Sequence, residues 1–528
     1  MKRLPIYRRM TMIEIKREAS ALRAALKLFL ATVAAGICGS AAAAETTRVI
    51  VAYKPGTAAL VKAAAQGIVK HEIFGMDAMA IEVPLRALAG LERHRAVEYV
   101  EQDVKRYLLS GATPSQAPYL SGQLVPYGIA MVQADLLSDA LAGNRKLCII
   151  DSGIDRAHED HSGNSLAGEY DRGTGWWYTD ENHHGTHVAG TIAAINNSAV
   201  GVVGVAPNGR LKLHIVKVFG ADGWAYSSSL ATAANKCGTA GANVISMSLG
   251  GARKSKTEQR AFDALQAKGV LSIAAAGNDG NTAISYPAGY ASVMSVGALD
   301  ENKAWASFSQ YNGKVEISAP GVNVLSSVPM NSASTPSLTV GASTYAPGTM
   351  DGSPVTSASA PLADFGLGDA IRTAVSGKVC LIARGAIDFA TKVSNCQNSG
   401  GVGAVVYNNV AGGFSGTLGT TITTIPSVTA SDTEGAAMQG QLGQTATLAL
   451  TPASYAYFDG TSMATPHVSA VAALVWSYFP ACTGAQIRSS LGKSAQDLGS
   501  PGRDAKFGFG LVQAKAAHDR IAALGCGN

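Results

Sequence analysis

KLCIIDSGID, Lys146 to Asp155, is an apolar run of strand length that stops at a carboxylate and a glycine. It reads as a buried parallel strand, and in open α/β sheets functional groups collect at the C-terminal ends of such strands. LSIAAAGNDG, from Leu271, repeats the pattern and runs into Asn278. Two helical segments accompany them: HHGTHVAGTIAA from His183, and GTSMATPHVSAVAALV from Gly460. In the second, Ser462 stands where a Gly-rich turn enters an apolar helix, so its hydroxyl is expected at the helix N-terminus, where dipole and free amides favour developing negative charge.

DSGID, HHGTHVAG and GTSMATPHV thus present an aspartate, a histidine and a serine, in that chain order and with matching flanks. Together they resemble the subtilisin-like serine proteases, over roughly residues 118–330 and 455–525. The resemblance implies that Ser462 attacks a scissile carbonyl, that His184 takes and returns the proton, and that Asp151 orients the imidazole. Asp155 competes for the last role and is expected to be a structural neighbour. His183 and His187, at i and i+4, could share a zinc ion, but no glutamate lies between them and no third ligand is evident; His187 is expected to be packed. By the same resemblance, the side-chain amide of Asn278 and the backbone N–H of Ser462 bind the tetrahedral oxyanion.

The resemblance also places substrate. SMSLGG, Ser246 to Gly251, is expected to pair with an extended peptide, with Ser248, Leu249 and Gly250 on one wall of the first pocket and Ala275, Ala276 and Gly277 on the other. Ser285 is expected near its floor, and Tyr226 at a more remote pocket. These linings are small and uncharged and predict an apolar preference; no acidic residue in them suggests selection of Lys or Arg. Gln123, Asp160 and Asn197, with carbonyls of the NNSAVGV loop, match the residues that hold structural calcium in related proteins, although the loop is one residue longer.

Composition agrees with an exported enzyme of several units. The chain has 528 residues, 59 of them glycine, is 47% hydrophobic and 15% charged, and carries a net charge of +5. Residues 1–27 hold eight Lys/Arg and two Glu, a net +6, so the remainder is −1 and no nucleic-acid footprint is expected. The apolar run Leu28 to Ile37 and the small residues Ala41 to Ala44 form a signal-peptide layout, with Met10 or Met12 as alternative starts and Cys38 poorly placed for lipidation. Six cysteines follow it. Proximity pairs Cys380 with Cys396 and Cys482 with Cys526, which leaves Cys148 and Cys237 to pair or stay free.

The expected fold class is α/β, a subtilisin-like three-layer parallel sheet, with an α+β ferredoxin-like propeptide and an inserted protease-associated domain. The boundaries read 1–44 signal peptide, 45–117 inhibitory propeptide, 118–329 and 455–528 catalytic domain, and 330–454 insert. In the propeptide, Ala58 to Ile73 is expected to be one helix, within the order β-α-β-α-β. Its cut is expected between Leu108 and Gln123, and the mature chain to begin near Gly122. Protein and peptide substrates, the propeptide as internal inhibitor and chaperone, no membrane anchor, a monomeric state and secretion complete the expectations.

Overall fold

The computed structural model describes residues 45–109, 111–112, 122–419 and 421–528. The signal segment with Met10, Met12 and Cys38, and most of the expected cleavage window, lie outside them. At the centre is a seven-stranded sheet. Its spatial order is Val315–Pro320, Val293–Leu299, Leu271–Ala275, Val244–Met247, Lys146–Asp151, Lys212–Lys217 and Ser165–Gly168, and every pairing is parallel.

Side-chain alternation along these strands produces three layers. Leu147, Ile149 and Ile273 face a core shared with the helices His184–Ala193 and Thr461–Tyr478. Cys148, Ile150, Ile245 and Ala274 face the opposite core, shared with the helices Ser227–Thr239 and Lys256–Ala267. The Thr461–Tyr478 helix is buried on all sides from Thr461 to Ser477, which its run of Ala, Val, Met and Leu permits. Cys148–Cys237 ties the central strand to one covering helix, and Cys380–Cys396 and Cys482–Cys526 are also bonded.

Residues 46–102 form a four-stranded antiparallel sheet, ordered Ile68–Glu72, Ala78–Pro84, Thr46–Tyr53, Val97–Gln102, with helices Ala58–Ala65 and Leu85–Glu92. The expected helix from Ala58 to Ile73 is therefore corrected. It stops at Ala65 because Gln66 turns left-handed, at φ 47°, and Gly67 lies so close to the Glu82 carbonyl that a Cβ there would meet the oxygen at 2.3 Å. Ile68–Glu72 then pairs with the neighbouring strand, and pairing overrides the local helical pattern.

This unit sits on two covering helices of the central sheet. Ile50, Ala52, Ile73 and Ala78 pack with Ala231 and Ala261. Two carboxylates cap the helix N-termini across the contact. Glu101 accepts from the N–H groups of Lys256 (2.7 Å) and Thr257 (2.8 Å), and Asp103 accepts from the Ser228 N–H (3.0 Å) and hydroxyl (2.7 Å) and from Arg48 Nε (2.8 Å). Beyond Asp103 the chain continues as the strand Lys105–Leu108, between Trp224–Tyr226 and Leu249–Gly250 and antiparallel to both.

Residues 333–453 build a second seven-stranded sheet, parallel from Ser357–Asp364 through Val379–Ala383 and Gly403–Tyr407 to Ser427–Ala430 and antiparallel elsewhere. It has its own cores, around Val405 and Leu448 and around Ile382 and Phe414. Among the described residues no helix is long and apolar enough to cross a membrane.

Because Asp103 is buried and completes a cap for a helix 124 residues away, Asp103→Ala should destabilise the uncleaved chain by roughly 1–3 kcal/mol, read as a lower urea midpoint with unchanged slope.

Candidate active site

The strand Lys146–Asp151 delivers Asp151, fully buried, to the C-terminal edge of the sheet. Its Oδ1 accepts from His184 Nδ1 at 2.7 Å and from the Ser152 N–H at 2.7 Å. This bond fixes the tautomer, since a proton held on Nδ1 leaves Nε2 free to act as base. The helix carrying His184 is anchored by Asp180, whose Oδ2 accepts from the Thr186 N–H (2.8 Å) and hydroxyl (2.6 Å) and whose Oδ1 accepts from Ser152 Oγ (2.7 Å). Ser152 Oγ in turn accepts from the Gly185 N–H at 2.9 Å. Gly185 allows this approach, because a Cβ there would lie 2.1 Å from the Gly153 carbonyl oxygen. Burial raises the Asp180 carboxyl above its ordinary range, opposed by the bonds from Thr186 and Ser152.

Ser462 lies in the first turn of the Thr461–Tyr478 helix, after Gly460 at φ 151°. Its hydroxyl donates to the Ser248 carbonyl at 2.8 Å, while His184 Nε2, buried, has no hydrogen-bond partner among the described residues. Asp151 and His184 are thus engaged with each other, and the Ser462 hydroxyl is turned toward Ser248.

The remaining groups converge on one oxygen, the carbonyl of Leu109. Asn278 Nδ2 donates to it at 2.7 Å and the Ser462 N–H at 3.4 Å, while the Leu109 N–H donates to the Ser248 carbonyl at 3.4 Å. Asn278 is oriented by its other end: Oδ1 accepts from the Thr461 N–H (2.9 Å) and hydroxyl (2.7 Å). Two donors aimed at a carbonyl next to a helix N-terminus form an oxyanion site. The Leu109 side chain enters beside Gly250, where a Cβ would sit 2.8 Å from Leu109 Cδ1 and 2.3 Å from Ser285 Oγ. Ser248, Leu249 and Gly250 therefore border it with Ser285, and Ala275, Ala276 and Gly277 lead from the neighbouring strand to Asn278. Tyr226 pairs with Lys105 and carries the Arg48 guanidinium 3.6 Å above its ring. Further along the chain, Gly111–Ala112 pairs with Phe458 and Asp459.

Other expected residues find their places. His187 Nε2 lies 2.9 Å from the Val324 carbonyl, its ring stacks on Phe458, and burial lowers its pKa to about 3, so it is a neutral packed histidine. Asp155 accepts from the N–H groups of Ala157 and Met330, away from the catalytic imidazole. Gln123, Asp160 and Asn197 meet around the loop 195–202. Gln123 Oε1 accepts from the Ser198 N–H (2.6 Å), its Nε2 donates to the Ile195 carbonyl (2.7 Å), and Asn197 Nδ2 lies 3.4 Å from Asp160 Oδ1. Among the described residues no group of three or more His, Cys, Asp or Glu is placed to hold a metal.

Fold and site together bring an aspartate, a histidine and a serine to one edge of a three-layer parallel sheet. The profile of the Subtilase family matches residues 143–364 and 390–510, and the chain belongs to that family. It is 46% identical over 210 residues to Subtilisin BL of Lederbergia lenta, covering 39% of this chain and 76% of that one. It is 40% identical over 262 residues to an alkaline protease of Alkalihalobacillus alcalophilus, covering 49% of this chain and 64% of that relative's length. Among solved structures, the psychrophilic subtilisin-like protease Apa1 of Pseudoalteromonas sp. AS-11 is similar at TM-score 0.56 and 42% identity, over 77% of this chain and all of that one.

Sequence reasoning did not find Ser152 and Asp180, which position His184. Asp180 stands beside Glu181 in a polar loop, and nothing in the sequence distinguishes the two carboxylates. Thr461 was legible only as part of a motif; its bonds to Asn278 show what it does.

Replacing Asn278 by Ala should lower kcat for peptide hydrolysis by about 10²–10³-fold with little change in KM, the loss known for the equivalent donor in subtilisin itself. Thr461→Val, which removes one of the bonds that aim Asn278, should give a smaller fall in kcat; steady-state kinetics on one chromogenic peptide compares the two.

Proposed function

We propose that this chain is a secreted serine endopeptidase made as a self-processing zymogen, with Leu109–Ser110 as the first bond it cuts. The observation that carries the reading is the Leu109 carbonyl, held by Asn278 Nδ2 and the Ser462 N–H in the position of a scissile carbonyl. Residues on both sides of that bond pair with the enzyme, Lys105–Leu108 before it and Gly111–Ala112 after it, as a bound substrate would.

In this reading Ser462 Oγ turns from Ser248 and attacks the Leu109 carbonyl carbon as its proton passes to His184 Nε2. The C–O bond forms and the oxyanion takes up the two donors. Collapse breaks the bond to the Ser110 nitrogen, which leaves with the proton from His184, and water, deprotonated by the same imidazole, releases the acyl group. Residues 45–109 then act as propeptide, remaining as inhibitor until displaced. The apolar Leu109 beside Gly250 and Ser285 supports preference for an apolar residue before the scissile bond. The insert at 330–454 is read as a protease-associated domain. The strand Tyr455–Asp459, which emerges from it, pairs with Gly111–Ala112, and this favours a role in access to the leaving-group side.

Calcium is proposed at Gln123, Asp160 and Asn197. The donors are hard oxygens from amides, a carboxylate and the carbonyls of Ile195 and Val202, the set calcium prefers. Burial raises the Asp160 pKa to about 7, so the buried carboxyl lacks an opposing charge that a cation would supply. Bound there, the ion would stabilise the loop; it takes no part in the hydrolysis.

Expression of the full chain should release a mature enzyme whose N-terminus, by mass spectrometry, is Ser110, whereas Ser462→Ala should stay uncut. A wild-type N-terminus elsewhere would refute the assigned bond, and cleavage in the variant would refute self-processing. Chelation should lower Tm by several degrees, restored by calcium, and Asp160→Asn should abolish the difference.

A further inference from the structure

We propose that Glu258 makes the pocket four residues before the scissile bond selective for arginine, so that the mature protease favours Arg over an apolar side chain at that position in its protein substrates. The inference rests on reading the tail strand as a substrate-like occupant of the cleft.

The strand Lys105–Leu108 alternates as a pleated peptide must. Tyr107 is 48% exposed, while the side chain of Arg106, four residues before the bond, is fully buried. The pocket that receives it ends on a charge. Arg106 Nε donates to Glu258 Oε1 at 3.2 Å and Nη2 donates to Oε2, a two-pronged pairing between side chains both at 0% exposure. Nη1 donates to the carbonyl of Lys105 at 3.1 Å, so that one satisfies itself within the peptide. Glu258 is held in turn. Tyr290 Oη lies 3.4 Å from its Oε2, and that hydroxyl is fixed by the N–H and carbonyl of Ser255, both at 2.9 Å. Gly251 provides the width, since a Cβ there would come within 3.2 Å of Nη1 and 3.5 Å of Cδ.

Of this pair, only the arginine belongs to the segment that leaves. Glu258 lies in the helix Lys256–Ala267 of the catalytic unit, with its N–H capped by Ser255 Oγ at 3.2 Å, so the carboxylate stays when the tail departs. Leu249, Phe262 and Tyr290 stand in the adjoining core, and the Glu101 carboxylate, the like charge that acts on Glu258, belongs to the segment that leaves. A Leu entering such a pocket would exclude water from the carboxylate and leave it unpaired, and a Glu would add like charge. Arginine restores two charge-assisted hydrogen bonds in the geometry of a planar fork. Lysine offers one point of charge on a different stem and falls between. Discrimination thus arises mainly from the cost imposed on the wrong occupant, which is where buried ionic groups act most strongly. The acidic residue escaped sequence reading because it lies on a helix beyond the strand segments that line the first pocket.

The test uses the full chain, expressed and allowed to process, and four chromogenic peptides X-Tyr-Leu-Leu with X as Arg, Lys, Leu or Glu. For the wild type, kcat/KM with Arg should exceed that with Leu by roughly ten- to a hundredfold, with Lys between and Glu lowest. Glu258→Gln should reduce the Arg-to-Leu ratio at least tenfold. Because Glu258→Leu alone would strand Arg106 in the precursor, the third form is the matched double variant Arg106→Leu with Glu258→Leu, in which Leu should become preferred to Arg. A wild-type ratio within about threefold of one, or a ratio unchanged in Glu258→Gln, would overturn the proposal. The mass of the processed N-terminus and the rate with the best peptide report on maturation, while the ratio among peptides reports on the pocket alone, so the two readings fail separately.

Discussion

The two bonds from Thr461 to Asn278 Oδ1, at 2.9 and 2.7 Å, hold the active site together across the inserted sheet. Asn278 follows a central strand and Thr461 opens the buried helix that begins past residue 454, so no local geometry brings them together. The bond does two things at once. It commits Oδ1 as acceptor, which turns Nδ2 toward the Leu109 carbonyl, and it uses the first N–H of the helix, which leaves that of Ser462 as the second donor. A site of this kind tolerates a long intervening stretch because its donors are fixed by a packed sheet and helix, and the second sheet at 333–453 supplies none of them.

The N-terminal unit completes the unit on which it sits. The helices Ser227–Thr239 and Lys256–Ala267 start beside one another, and each begins with unpaired N–H groups that need acceptors. Glu101 and Asp103, one residue apart in the following strand and turn, serve both. Ordering of the helix pair and docking of the unit are therefore coupled through the same hydrogen bonds. The tail strand then extends the contact by backbone pairing, which requires no particular sequence except where a side chain enters a pocket.

The convergence of Asp151, His184, Asn278 and Ser462 was legible because their surroundings restrict composition: Gly185 against the Gly153 carbonyl, Gly460 before the helix, a strand that must be apolar up to Asp151. Two of the three disulfides, Cys380–Cys396 and Cys482–Cys526, were likewise readable from spacing, while the pairing of Cys148 with Cys237 was left to the structure. What was not legible depended on contacts far apart in sequence. The helix from Ala58 ended eight residues before expectation because Gln66 and Gly67 must turn the chain into a strand. Arg106 and Glu258 are separated by 152 residues, and neither stands in a recognisable motif. Asp180 is one carboxylate among many in the sequence; only its four hydrogen bonds from Ser152, Asn182 and Thr186 distinguish it.

In the proposed function, the Ser248 carbonyl links the resting serine to the peptide it is to attack. It accepts from Ser462 Oγ at 2.8 Å and from the Leu109 N–H at 3.4 Å, so the nucleophile holds the shorter bond to a group that also positions the residue to be attacked. Turning the hydroxyl toward His184 Nε2 exchanges this bond for one to a base that is buried and, among the described residues, unpaired. The same rotation leaves the carbonyl to the Leu109 N–H alone, which can close on it as the carbonyl carbon becomes tetrahedral. Nucleophile release and tighter holding of the peptide are in this way one motion about a single side-chain bond, and the barrier to it is that of an ordinary rotamer change, small beside the chemistry that follows.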